Sequence, residues 1–376
     1  ASTVELERTA RYDPDFSLPA LSLETEPAES IDLAIGLLRR FLLDPVEVVG
    51  RYHLRLAETI DPGGELSEVD DEPLSSNFPI DYEIRTETIQ RWFAAQLPQT
   101  CREPSMSGLA DEFESVYADF SRRSRVPVGA FAVEDQSRLK QQVQAAGATL
   151  MPFIQRMRSA KRLFHDLRIG AATDFQTAID GAHLDLDPVS IRLSASTDER
   201  LPRTVRLDGG LPWVWQADDQ GWHCLVITGS NRRSRYPDKY VIGPLLTLMA
   251  IAAGGRLAPS YEIDRVTLHV VYRGHVLDLD YALDPGRCAD YLSGLVKAFF
   301  SFSPLAWLPF EPIFSNPLLR SFIARETVNE THRRMFRSSM TEMLKNEPDA
   351  WTELTGALVT PDILERARQR FRIFLP

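Results

Sequence analysis

The stretch "HLDLD" contains three side chains of the types and spacing that a metal site needs. His183, Asp185 and Asp187 alternate with leucines, so a β-strand would carry all three on one face. Imidazole nitrogens and carboxylate oxygens both bind divalent cations, and a bound cation can activate water for hydrolysis. No lysine or second acidic strand accompanies this set. We therefore favour the simpler interpretation, a strand edge with solvated acidic residues.

Other catalytic classes have less support. The sequence has no Gly-Lys-Ser/Thr phosphate loop, no Gly-x-Ser-x-Gly elbow and no Cys-x-x-Cys pair. Its seven histidines are scattered, and isolated ones such as His223 and His269 are expected to be packed or exposed rather than catalytic. We expect no cofactor in this chain.

The net charge of the chain limits which partners it can bind. The 376 residues include 42 basic and 53 acidic side chains, a net charge of −11, which argues against tight, non-specific binding to nucleic acid. Two basic runs remain as candidate local contacts, although each is also typical of a solvated turn or helix end. They are "SNRRSR", with Arg232, Arg233 and Arg235, and "RRSR", with Arg122, Arg123 and Arg125.

Three widely spaced cysteines predict neither a disulfide framework nor a zinc site, and they favour a reducing cytoplasm. No apolar run reaches the length of a membrane span, so no membrane partner is expected. The chain begins at Ala1 without a targeting pattern, and we expect it to be part of a longer protein.

The elements that must position these residues fall into three parts. Residues 1–29 are polar and proline-containing, which predicts a linker or extended arm. Residues 30–170 predict a helical region, with helices at 30–41, from Asp44-Pro45, and at 82–96, 107–123 and 134–167. Residues 171–376 predict an α/β core followed by C-terminal helices over 318–371. The fold class is α/β, with a helical region wrapped around a mixed sheet.

Within the core, strand, turn, strand and helix follow in a definite order. "VWQADDQGWHCLVI" predicts a hairpin, "YVIGPLLTLMAIAAGG" a buried helix, and "DRVTLHVVYRGHVLDLDYAL" a second hairpin that turns at Arg273-Gly274. A helix beginning at Pro285 follows. This is the order found in PD-(D/E)XK nucleases. In those enzymes acidic residues on adjacent strands hold Mg²⁺, and a lysine two residues after the second acid polarises water.

Several motifs resemble the C-terminal region of the gamma subunit of exonuclease V, the RecC family, over about residues 31–376. "LLRRFLLDPVEVVGRYHLRL" looks like the family's helix-Pro-helix entry, and "DDEPL" with "IDYEIRTETIQRWFAA" is similar to its acidic Glu-Pro step. "RVPVGAF" resembles its most specific signature. "CADYLSGLVKAFFSFSPLAWLPFEP" is similar to its late helix and the apolar segment after it.

The resemblance implies a PD-(D/E)XK nuclease-like core without its chemistry. It aligns the two metal-binding acids of active relatives with Pro212 and Ile227, and the lysine with Gly229. None of these residues can hold a hard cation, so no catalytic residue and no intrinsic catalysis are expected. The chain would instead belong to an ATP-dependent exodeoxyribonuclease–helicase that repairs double-strand breaks, with RecB-like and RecD-like subunits as partners. The alternative is a stand-alone nuclease with a relocated site at His183, Asp185 and Asp187.

The resemblance also implies a role at a duplex end or fork, where strands are split and guided. The second hairpin is our candidate wedge, since Tyr272 could stack on a base while Arg273 and His275 contact phosphates. An ordinary sheet-edge hairpin is the equally weighted alternative. The apolar tail "FRIFLP" and the segment "AFFSFSPLAWLPFEP" are either core or docking surface.

Overall fold

A computed structural model describes residues 30–43, 45–48, 78–97, 105–170, 183–193, 202–217, 221–228, 240–254, 263–272, 275–300, 368 and 370–374. The strands are β1 (Ser30–Ala34), β2 (Arg162–Ile169), β3 (His183–Leu186), β4 (Val189–Arg192), β5 (Thr204–Gln216), β6 (Trp222–Ile227), β7 (Arg265–Tyr272) and β8 (His275–Ala282). The helices are α1 (Ile35–Leu43), α2 (Pro45–Val48), α3 (Phe78–Gln96), α4 (Leu109–Arg122), α5 (Gly129–Arg158), α6 (Ile242–Gly254) and α7 (Pro285–Phe300). A 3₁₀ turn covers Arg372–Phe374.

The strands form one mixed sheet in the order β3-β2-β5-β6-β7-β8. The hairpin partners β5 and β6 are antiparallel, and α6 then crosses over to β7, which runs parallel to β6. The hairpin β7–β8 closes this side of the sheet, with Tyr272 opposite His275. A parallel pair requires such a crossover, because a tight turn can join only antiparallel neighbours.

Strand β5 is long enough to belong to two parts of the sheet. Its first residues pair with β1 on one edge and β4 on the other, and its later residues pair with β2 and β6. Gly209 lies at the change of partners, where an added Cβ would approach Ile35 Cδ1 to 3.1 Å. A side chain there would push α1 away from the sheet, so the glycine permits the close contact.

Helices cover both faces of the sheet. On one face α1, α6 and α7 pack on Leu207, Val214, Cys224 and Leu268. On the other face α3, α4 and α5 pack on Trp213, Trp215, Leu225 and Val271. The two faces correspond to the alternation of side chains along each strand.

Helix α6 is apolar on all sides because it is enclosed. Its residues from Leu245 to Ala252 are all buried between the sheet and the helices α1 and α7. Among the described helices, none is both long and apolar enough to cross a membrane.

A buried polar network joins the three helices of the other layer. Arg138 of α5 donates to both carboxylate oxygens of Asp81 on α3, at 2.6 and 3.0 Å, and to Asp135 at 2.6 Å. Tyr117 of α4 donates to Asp135 at 3.1 Å. Asp135 is only 2% exposed, so these donors offset the cost of burying its charge.

The residues around the 3₁₀ turn are part of the core. Phe371 and Phe374 are fully buried with α1, β8 and α7. Tyr281 donates to the carbonyl of Phe374 at 3.1 Å, and Tyr291 donates to that of Arg370 at 2.9 Å. For "FRIF" the structure therefore decides in favour of core over docking surface. The segment "AFFSFSPLAWLPFEP" lies mainly outside the described residues.

The mixed α/β architecture is confirmed, as are the helices predicted at 82–96 and 107–123, the buried helix α6 and both hairpins. Two helix predictions were wrong in part. Residues 30–34 form β1, because they pair with β5. Residues 162–169 form β2, which pairs with β3 and β5, so the helix predicted over 134–167 ends earlier, at Arg158. The sheet thus begins before residue 171, and β1 and β2 of the predicted helical region belong to it. The linker at 1–29 and the helices predicted over 318–367 lie outside the described residues.

Candidate functional site

The two residues that the resemblance aligns with metal-binding acids, Pro212 and Ile227, lie on adjacent strands. Pro212 is on β5 and exposed, whereas Ile227 ends β6 and is half-buried against the core on the α3–α5 side. Gly229 lies outside the described residues. Neither Pro212 nor Ile227 offers an oxygen ligand, so the side chains at these two positions provide no binding of a hard cation.

The neighbouring strand β2 carries the acidic side chain nearest in register to this position. Asp166 is the ladder partner of Pro212. Its carboxylate accepts a bond from Arg168 Nε at 2.5 Å, and both side chains are largely buried, at 16% and 15% exposure. The positive charge that this carboxylate requires is thus supplied by a guanidinium of the same strand.

The backbone beside Pro212 is strained. Trp213 has φ of 56°, a left-handed value that a bulky residue rarely adopts. The alternation of β5 is interrupted there, since Leu211 and Val214 both face the core containing α6. Trp213 instead packs edge-on against Phe93 of α3, with centroids 5.0 Å apart. Such strain persists only where surrounding packing enforces it.

The other predicted site residues are only partly within the described chain. Arg232, Arg233, Arg235 and Arg273 lie outside it. Tyr272 and His275 form the last pair of the β7–β8 ladder, and the His275 side chain is exposed.

The relocated acidic set is on the edge strand β3. His183 is paired with Asp166 and Asp185 with Arg168 across the parallel β2–β3 ladder, and Asp187 is exposed just after the strand. Among the described residues, no three His, Cys, Asp or Glu side chains are grouped so that they could hold a metal ion.

A second polar cluster lies on β6, β7 and β8. His269 Nδ1 is 2.7 Å from Asp278 Oδ1, and His269 Nε2 is 3.0 Å from His223 Nδ1. Both imidazoles stack on the indole of Trp215, with ring centroids 5.4 and 5.1 Å away. The result is a continuous chain of hydrogen bonds, Asp278–His269–His223, against an aromatic face.

The cluster is covered by α5. Phe153 of that helix lies 5.1 Å from the His269 ring, and the His269 side chain is only 4% exposed. Burial lowers the pKa of His269, although the hydrogen bond to Asp278 acts in the opposite direction. Asp278 itself is 59% exposed, so the chain connects solvent with the interior.

Sequence reasoning missed this cluster by treating each histidine separately. The predicted turn at Arg273-Gly274 already places His269 directly opposite Asp278, and the structure has this pair in register. The parallel β6–β7 ladder that brings in His223 was not predictable from local pattern, because it depends on the crossover through α6.

A scan against models of known protein families and a search of curated proteins both find no match for this chain.

Proposed function

We propose that this chain is a non-catalytic DNA-binding and subunit-assembly domain of a RecBCD-type helicase–nuclease in double-strand break repair. In this proposal the core is a PD-(D/E)XK nuclease-like fold that has lost its metal site. The chain works in the cytoplasm with RecB-like and RecD-like subunits at a duplex end or fork. Its contribution to catalysis is then indirect, through guiding the strands.

The observation that carries this proposal is the connectivity of the central sheet. An antiparallel pair β5–β6 leads through the buried helix α6 to the parallel strand β7. This order is the one on which a two-strand acidic site is built in such nucleases. In this proposal Pro212 and Ile227 replace the two metal-binding acids, and both are apolar.

The charge next to Pro212 favours a non-catalytic role. An acidic residue that was to bind a metal would need its oxygens available, whereas Asp166 is held by Arg168. Arg168 is also the ladder partner of Asp185 in the β2–β3 pair. The guanidinium beside the Asp166 carboxylate disfavours the binding of a second cation at that carboxylate.

The hairpin β7–β8 fits a wedge only at its tip. Asp278 and Asp280 on β8 are acidic, and they accept hydrogen bonds from His269 and Thr267, at 2.7 and 2.5 Å. Carboxylates repel phosphates, so DNA contact is proposed for the turn at Tyr272–His275 and not for the length of the strand.

A binding assay with forked DNA tests the proposal. We expect the 376-residue chain to bind a fork more tightly than a blunt duplex, and binding to weaken with salt. The triple variant Arg232→Ala, Arg233→Ala, Arg235→Ala should lower the slope of log K against log salt by about 3, roughly one per lost phosphate contact. The matched control replaces three exposed arginines outside both basic runs, Arg40, Arg91 and Arg192, by alanine. Equal loss in both variants, or no fork binding at all, contradicts the proposal.

Two further measurements separate the alternatives. The double variant Tyr272→Ala, Arg273→Ala should reduce fork binding without affecting duplex binding. Unchanged fork binding would show that β7–β8 is an ordinary edge hairpin without a role in strand separation. Cleavage of linear DNA with Mg²⁺ or Mn²⁺ that disappears in Asp185→Ala would instead establish the stand-alone nuclease.

A further inference from the structure

The hydrogen positions in the chain Asp278–His269–His223 follow from its acidic end. A carboxylate only accepts, so His269 Nδ1 carries the hydrogen that bridges the 2.7 Å to Asp278 Oδ1. In the neutral imidazole the other nitrogen, Nε2, is then an acceptor. His223 Nδ1, 3.0 Å away, donates to it. Each ring therefore carries one N–H, and the two hydrogen bonds point towards Asp278.

One additional proton can enter this arrangement without breaking it. A proton added to His223 Nε2 leaves both hydrogen bonds as they are. If the charge moves to His269, the bond between the rings reverses direction but keeps one hydrogen between the two nitrogens. The cation then lies between the negative charge on Asp278 and the face of Trp215, on which both rings stack nearly parallel, at 16° and 17°.

A second proton cannot be accommodated. It places an N–H on each of the two facing nitrogens, 3.0 Å apart, and two positive charges on adjacent rings. The charged groups that act on His269 are Asp278 and Asp280 of β8, which favour protonation, and Arg156 of α5, which opposes it. Two carboxylates at the exposed edge of the sheet do not restore the lost hydrogen bond in the interior.

Loss of the hydrogen bond between His223 and His269 would affect α5 through Phe153. That ring contacts His269 at 5.1 Å and packs edge-on against Trp215 at 6.5 Å. Arg156, one turn later, has its guanidinium carbon over the same ring, 5.4 Å from the centroid. Phe153 is thus a direct contact between the C-terminal half of α5 and His269, and separation of the two imidazoles would displace it.

We propose that His223, His269 and Asp278 form a pH-dependent latch that holds α5 on the sheet. The latch binds one proton with its hydrogen bonds intact, and uptake of the second opens it and releases Phe153. This inference concerns β6–β8 and α5 only, and it does not depend on a role in DNA binding.

Nuclear magnetic resonance of the full chain labelled in its histidines tests the latch. Between about pH 8 and 5 we expect His223 and His269 to titrate together as a pair that takes up one proton. Amide hydrogen exchange in the C-terminal half of α5 should accelerate only when the second proton enters. Two histidines that titrate independently, or α5 exchange that ignores their titration, would overturn the proposal.

Two variants keep the test decisive if changes in the buried pair prevent folding. Asp278→Asn, at an exposed position, removes the compensating charge and should move proton uptake down by about 1 pH unit. Asp280→Asn is the matched control on the same strand face, and its smaller shift is expected because Asp280 bonds Thr267 rather than His269. Equal shifts in the pH of proton uptake would mean that both carboxylates act only through their general negative charge, and this result would contradict the latch.

Discussion

Gly170 and Asp208 meet at the point where β2 ends beside β5. Gly170 has φ of +81°, and a Cβ added to it would lie 2.9 Å from Asp208 Cβ. Burial raises the pKa of Asp208, and Asp32 contributes in the same direction. Because of the positive φ and the close Cβ of Asp208, the turn that follows β2 requires glycine at position 170.

Gly170→Ala is expected to destabilise the protein by about 1–3 kcal/mol, because it combines an unfavourable φ with a backbone-adjacent clash. Urea unfolding followed by circular dichroism measures the effect. Gly294→Ala in α7 is the matched control, since nothing lies within 4 Å of its added Cβ. It should stabilise by about 0.5–1 kcal/mol, as alanine does in a helix. Equal effects of the two changes would refute the assigned geometry.

Arg138→Ala is expected to cost about 1–3 kcal/mol, because it leaves the buried carboxylate of Asp135 without its cation but still bonded to Tyr117. The comparison is Arg91→Ala, which breaks an exposed pair with Glu87 whose side chains are 44% and 40% exposed. Such a pair contributes about 0.3–0.5 kcal/mol. Denaturant midpoints that shift alike for both variants would show that the network between α3, α4 and α5 contributes little.

Phe374→Ala is expected to cost about 3–5 kcal/mol by leaving a cavity among α1, β8 and α7. Arg372→Ala, an exposed neighbour in the same 3₁₀ turn, should change the unfolding free energy by less than about 0.5 kcal/mol. Thermal unfolding of the two variants, compared with the parent chain, measures the difference. A small loss for Phe374→Ala would mean that this turn does not pack as described.

Cys224 is expected to resist alkylation in the folded protein. Burial raises the pKa of its thiol to about 12, so almost no thiolate is present near neutral pH. Mass spectrometry of the peptide that contains Cys224, after treatment with iodoacetamide with and without denaturant, checks this. Rapid modification without denaturant would contradict the packing of β6 against α6.

Stability should fall as the solution becomes more acidic than the ordinary histidine pKa of about 6.5. The folded-state pKa of His269 is lowered by burial, so between the folded and unfolded values the unfolded chain binds more protons. The stabilisation is complete above the unfolded value and is lost as pH falls through the window below it. In His269→Gln the pH dependence of the unfolding free energy should be smaller, and an identical dependence would assign the effect to other groups.

Local patterns in the sequence predicted much of the fold. The apolar run of α6, the turn residues of two hairpins and Pro45 at the start of α2 each act over a few residues, and each is found where expected. The strands β1 and β2 were missed because their partners on β5 are distant in sequence. Leu167 and Ile169 alternate with charged residues, as in a half-buried strand, but the helical pattern of the preceding residues extends into this stretch.

The candidate site was harder to predict for the same reason. Pro212 and Ile227 were identified by position along the strands, whereas the ion pair of Asp166 with Arg168 and the strain at Trp213 depend on which strand lies next to β5. The histidine pair depends on the β6–β7 register. Sequence periodicity determines which face a side chain occupies, and only the assembled sheet determines its neighbours.

Phe371 and Phe374 are buried in the same core as Phe41 of α1, and this affects how the chain can fold during synthesis. Among the described residues these phenylalanines leave the ribosome last, yet they fill the same apolar interior as the first strand and helix. Until they arrive, a nascent chain holds an open hydrophobic surface between α1, β8 and α7. The α/β core can therefore mature only after nearly all of the described chain has been translated, and in that interval it is most exposed to aggregation or in need of a chaperone.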